Sequence, residues 1–141
     1  MMSLKMRFRF SPTQDGLVKV LGPLETEIME LLWKENQGTV KQIHRSLQHR
    51  RDIAYTTVMT TMSRLAEKGI LHRTRDGLAY VYSPELSQDE FVQMVVQQVL
   101  DGLLDDYPDM TLSYVVDYLA RNDPSQLKQL SRDAQNRYAR V

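Results

Sequence analysis

The chain has 141 residues, 42% of them hydrophobic and 26% charged, an ordinary soluble composition at the length of one domain plus a small accessory region. It contains no cysteine, which excludes disulfides and thiolate metal sites, and no apolar run near the roughly 18 residues that a membrane span requires. The formal net charge of zero hides two opposite halves: residues 1–84 carry 13 Lys and Arg against 8 Asp and Glu, and residues 85–141 carry 5 against 10.

A basic first half suits an approach to phosphates, and an acidic second half does not. The N-terminal MMSLKMRFRFSPTQDG scatters its charges and lacks the continuous apolar stretch of a secretory signal, so a cytoplasmic protein without membrane insertion is expected. Pro12 and Asp15-Gly16 break any regular period there, which leaves residues 1–20 as an arm without predicted structure. Arg7 and Arg9 make that arm either an extra phosphate contact or a frayed end.

From Gly22 the pattern sharpens. Pro23 suits a first helical position, Glu25 and Glu27 favour the positive end of a helix, and Leu24, Ile28, Leu31 and Leu32 recur at helical spacing, predicting a helix over about 23–35. Thr39 can cap a second, with Val40, Ile43 and Leu47 on one buried face of about 40–49. In AYTTVMTTMSRLAEKG, Val58, Met62 and Leu65 share a stripe and Gly69 supplies the stop, predicting a third helix over about 55–68. ILHRTR and LAYVYS then flank Asp76-Gly77, a dipeptide that favours a two-residue hairpin turn. Three short helices followed by a hairpin predict a winged helix-turn-helix head over 21–86, in a chain that is mainly α with a small β wing.

Beyond Pro84, Ser87-Gln88-Asp89-Glu90 has the spacing of a reciprocal capping box and opens a helix over about 88–105. Tyr107-Pro108 breaks it, Thr111 can cap another through about Arg121, and Asp123-Pro124 begins a last one to about Ala139. Phe91, Val95, Val99 and Leu103 stripe the first of these; Leu112, Val115, Val116 and Leu119 the second; Leu127, Leu130, Ala134 and Tyr138 the third. Helices this short cannot bury such stripes alone, so residues 87–141 are expected to form a helical dimerisation region that makes the chain a homodimer, with folding back onto the head as the competing arrangement.

The outward face of the third helix is the most informative feature. With Val58 inward, about 100° per residue puts Thr56, Thr57, Thr60 and Arg64 outward, with Thr61 at the edge and Tyr55 at the start. Branched threonines are a poor choice for an exposed helix selected for stability alone. A hydroxyl can donate or accept and its methyl can pack on a thymine methyl, so this face suits base edges in a major groove; tolerated surface threonines are the bland alternative. Arg73 and Arg75 share a face of the first wing strand and can reach phosphates or a neighbouring minor groove. Lys41, near a helix N-terminus, is either a phosphate contact or an ordinary solvated lysine, and Tyr80 and Tyr82 either pack or touch DNA.

LGPLETEIMELLW, TVKQIHRSL, AYTTVMTTMSRLAEKGIL and RDGLAYVYSP, in that order and spacing, resemble the BlaI/MecI penicillinase-repressor family, closely over about residues 20–86 and in outline through the tail. The resemblance implies a winged-helix repressor that binds a palindromic double-stranded operator as a homodimer. It makes Thr56, Thr57, Thr60 and Arg64 base or backbone contacts, and Arg73 and Arg75 wing contacts. It also implies a membrane sensor protease as a partner. Copper sensing through paired C-terminal cysteines, found in some members, is excluded, and the Asn-Phe dipeptide at which the penicillinase repressors are cut does not occur.

Enzyme readings find little in the residues. His44 and His49 point in different directions on a helix, no glycine-rich phosphate loop or serine elbow occurs, and Asp105-Asp106 reads as a solvated helix end. No cofactor, metal or catalytic residue is expected. The alternative is a winged-helix module for protein contacts without specific DNA binding, which a neutral or acidic third helix would have favoured.

Overall fold

In the computed structural model, which describes Met6 and residues 8–138, a short 3-10 turn at Gly16–Lys19 precedes helices α1 (Pro23–Glu35), α2 (Val40–Gln48) and α3 (Tyr55–Glu67). Strands β1 (Leu71–Asp76) and β2 (Ala79–Pro84) follow, then α4 (Gln88–Asp106), α5 (Pro108–Asn122) and α6 (Pro124–Tyr138). Arg7 and Ala139 lie outside the described residues. Among the described residues no helix is long and apolar enough to cross a membrane.

The chain divides between Val95 and Val96 into two compact units. In the first, Ile28, Met29 and Leu32 of α1, Leu47 of α2 and Val58, Met62 and Leu65 of α3 form a fully buried centre. The local signals act as expected at several ends. Thr39 Oγ1 accepts from the Gln42 N–H at 3.2 Å while Gln42 Oε1 accepts from the Thr39 N–H at 2.9 Å, a reciprocal box at the start of α2. Gly69 takes a φ of +81°, which stops α3 where a side chain would be strained.

The wing is a two-stranded antiparallel ribbon that pairs Arg73 with Tyr82 and Arg75 with Tyr80. Because Asp76 pairs with Ala79, the two loop residues are Gly77 and Leu78, one position later than the Asp-Gly pair expected from the sequence. Gly77 has a φ of +64° and Leu78 does not share it, the II′ arrangement with glycine first. Gly38 exchanges both backbone hydrogen bonds with Tyr82, each at 2.9 Å, which straps the α1–α2 link to the wing. That pairing has no sequence signature, since a single bridge needs no alternation of side chains.

Two expectations are corrected in this unit. The N-terminal segment is not frayed throughout: Met6, Val20 and Leu21 are buried in the core, and Phe8 and Leu17 pack against it, although Arg9 is exposed. A segment rich in turns can still contribute isolated apolar anchors without any period to reveal them. Phe91, expected on a dimer stripe, is 1% exposed and lies 5.7 Å from Trp33 between ring centroids, with Val95 packed against the same core. The first turns of α4 therefore complete the head, and the compact unit runs past the expected boundary at residue 86. Trp33 Nε1–H donating to the Leu86 carbonyl at 2.9 Å holds the entry to α4 on this side.

The start of α4 carries the predicted box: Glu90 Oε1 accepts from the Ser87 N–H at 3.0 Å and Ser87 Oγ from the Glu90 N–H at 3.1 Å. Hydrogen bonding from the Ser87 backbone, and then from its side chain, holds the Glu90 carboxyl below its ordinary value of 4.5. A lowered value means a contribution present above 4.5 and lost as pH falls through the folded-state value. The Ser87 amide resonance, followed by NMR on acidification, should therefore titrate below 4.5 in the native chain and stay flat in Glu90→Gln. A flat native profile would remove Glu90 from the cap.

In the second unit α5 begins at Pro108, earlier than Thr111 would have capped it; the Thr111 hydroxyl instead donates to the Tyr107 carbonyl at 2.6 Å from inside the first turn. Asp123 Oδ1 accepts from the Gln126 N–H at 3.2 Å and starts α6. No described residue from Val96 onward is buried.

Candidate nucleic-acid interface

Helix α3 sits with Val58, Met62 and Leu65 fully buried, so its opposite side is fixed by the core rather than by its own propensity. That side presents Thr56, Thr57, Thr60 and Arg64, all exposed, with Tyr55 exposed at the first turn. Thr61 is half-buried and its hydroxyl donates to the Thr57 carbonyl at 2.8 Å, which leaves the methyl and an oxygen lone pair for any other contact.

The turn leading into α3 is braced. His44 Nε2 lies 2.8 Å from the Ile53 carbonyl, and because a carbonyl only accepts, Nε2 carries the hydrogen. The His44 ring meets Tyr55 edge-on at 5.5 Å, and Arg51 pairs with Glu27 at 3.0 Å. At the far end of α3, Lys68 pairs with Glu25 at 2.9 Å. His44 and Glu27 therefore brace the turn into α3 without belonging to its exposed face, a role invisible in the sequence because their partners are distant along the chain. Lys41 is exposed in the first turn of α2.

The wing separates its aromatic pair. Tyr82 is 2% exposed and packs in the core, whereas Tyr80 is 43% exposed, with its ring edge-on to Tyr82 at 6.5 Å. The Arg73 guanidinium lies over the Tyr80 ring at 4.6 Å and that of Arg75 at 5.8 Å. Arg73 Nη1 also reaches the Ser63 hydroxyl of α3 at 3.4 Å, and its pKa is raised above the ordinary arginine value, chiefly by hydrogen bonding with the Tyr82 side chain. Arg73 thus ties wing to α3 while Arg75 stands nearer the tip. Ser63 went unnoticed in the sequence, where it reads as one more small polar helix residue.

The expected dimerisation residues fall into three groups. Phe91 and Val95 belong to the head core. Val99, Val115, Leu119 and Leu127 are half-buried, and Leu103, Leu112, Val116 and Leu130 are exposed. Other exposed apolar residues of the second unit were not singled out from the sequence: Val96, Leu100, Tyr107, Met110, Tyr114 and Tyr118. The Tyr114 and Tyr118 rings neighbour each other along α5, tilted by 42° with centroids 6.3 Å apart.

A profile of the family described as Penicillinase repressor matches residues 21–133. The chain is similar to the transcriptional regulator BlaI of Mycobacterium tuberculosis, 47% identical over 73 residues that cover 51% of this chain and 53% of that protein. That match spans about half the length of the mycobacterial relative. It is also similar to the penicillinase repressor of Bacillus licheniformis, 24% identical over 118 residues covering 80% of this chain and 90% of the relative. Among solved structures, the DNA binding domain of the repressor BlaI is 25% identical, covers 48% of this chain and 83% of that one, and superposes with a TM-score of 0.45.

Proposed function

The chain belongs to the penicillinase repressor family, and from that premise we propose that it is a cytoplasmic transcriptional repressor that binds a near-palindromic duplex operator as a homodimer. One observation carries this reading: an exposed face of Thr56, Thr57, Thr60 and Arg64 on a helix whose other side is locked into the core. Hydroxyls and a guanidinium on a helix locked to the core are a suitable set for base edges, since a hydroxyl can meet a donor or an acceptor and a guanidinium an acceptor in the major groove without a loop having first to be ordered. Arg75 and Arg73 on the wing and Lys41 in the first turn of α2 add exposed positive charge that favours phosphates. The exposed apolar residues of the second unit supply the surface for a second copy, so that two heads read two half-sites about one helical turn or a multiple of it apart. A membrane sensor protease is the further partner suggested by family likeness; without an Asn-Phe dipeptide, the bond it would cut is not carried over.

Selection from random duplexes with the full chain tests the reading directly. It should enrich an inverted repeat, and enrichment of no repeat would overturn it. Within the selected operator, Thr57→Ala and Thr60→Ala should relax preference at defined base pairs by about 1–3 kcal/mol each. Arg75→Ala should instead weaken every duplex alike and lower the salt slope by about 1. If both classes of substitution weaken all sequences uniformly, the reading face has been misassigned.

A further inference from the structure

The tip of the wing holds a residue that neither the turn nor the core explains. Leu78 is 99% exposed, the second of two loop residues in a turn whose first is Gly77. That second position is ordinarily served by Asn, Asp or Ser, whose polar side chains suit a solvated hairpin end. Leucine contributes nothing to the turn and touches no core. Single exposed apolar side chains are common on protein surfaces, but this one stands beyond Arg75, with Arg75 and Arg73 arrayed over Tyr80 on one face of the ribbon. Ser63 and the Gly38–Tyr82 bridge fasten the base of the same ribbon to the reading unit. The ribbon is thus a braced arm with positive charge along its face and an apolar end.

We propose that Leu78 enters the minor groove flanking each half-site and makes the wing prefer A·T pairs there. The inference rests on the reading of the head as a duplex binder and adds a second, independent element of sequence preference to it. The chemistry is specific. Sugar walls make the minor groove the apolar surface that a duplex offers, and A·T pairs leave its floor open, whereas guanine places its 2-amino group in the way. A leucine has no acceptor for that amino group, so it buries it unpaired; over A·T it covers only acceptors of the kind that G·C also presents, and the stranded donor is the difference. The narrow groove of A·T tracts also concentrates negative potential where Arg75 lies, and apolar wedges are established companions of such contacts.

The test uses the full chain and the operator recovered by selection, with flanking pairs made A·T, G·C or inosine·C. Inosine lacks the 2-amino group but keeps the major-groove edge of guanine, so it separates the two grooves. The native chain should bind A·T and inosine·C flanks roughly tenfold more tightly than G·C flanks. Leu78→Asn, which suits the turn and leaves the fold intact, should bind all three alike while still discriminating half-site mutations. A Leu78→Asn chain that keeps the native flank preference, or a native chain with none, overturns the proposal. So does a variant whose flank preference persists while its sedimentation shows loss of a protein contact. Failure of both chains to tell half-site from scrambled duplex would instead mark failure of the repressor reading, and the wedge would fall with it.

Discussion

Leu112→Glu combined with Leu130→Glu should convert the chain from dimer to monomer in sedimentation at micromolar concentration while leaving its helical content unchanged. Leu112 is 56% exposed on α5 and Leu130 is exposed on α6, so neither substitution opens a cavity within one copy. Against a second copy the same positions become costly, because a carboxylate forced into an apolar interface without a partner loses several kcal/mol of solvation. Two such charges per chain, duplicated by symmetry, exceed what a modest interface supplies. Operator affinity should then fall by orders of magnitude although every residue of the proposed α3 contact face is intact, since two heads joined in one body bind two half-sites far more tightly than two independent heads do. A double variant that still sediments as a dimer would put the interface elsewhere.

Phe91→Ala should lower the stability of the head by about 3–5 kcal/mol, the usual cost of emptying a buried aromatic site. For a unit of this size that is a fall in Tm of roughly 15 °C or more. The neighbouring Val92 is 41% exposed on the other side of the same helix turn, and Val92→Ala should change stability by no more than about 0.5 kcal/mol. Thermal unfolding of the full chain distinguishes the pair. If Phe91 served an interface instead, its loss would move the oligomeric state and its effect on Tm would shrink on dilution, as the native chain dissociates too; as a core residue it destabilises equally at every concentration. Equal effects from Phe91→Ala and Val92→Ala would place Phe91 outside the core.

Periodic patterns place residues on a face and stop there. Phe91, Val95, Val99 and Leu103 do lie on one stripe of one helix, and the sequence shows it. The same stripe is divided between two jobs: its first half covers Trp33 and the remainder is left for another surface. A hydrophobic period says that a face wants cover and is silent on what covers it. The wing shows the same division. Alternation paired Arg73 with Arg75 and Tyr80 with Tyr82, but the face that all four share follows from the register of the two strands, and the burial of Tyr82 beside an exposed Tyr80 from packing against the core, which no local rule encodes.

By itself the amino-acid sequence determined the order of helices and strands, the caps at Thr39 and Ser87, the stop at Gly69 and the outward threonine face of α3. Each of these depends on residues within a turn or two of one another, where side-chain hydrogen bonding and helical or strand period act before the chain is folded. Tertiary structure alone decided that Met6 anchors the N-terminal segment, that Gly38 pairs with Tyr82, that Arg73 bridges to Ser63, and that the head claims Phe91 from the tail. Those contacts join segments far apart in the chain, so their free energy exists only once the core has closed and brought the partners together.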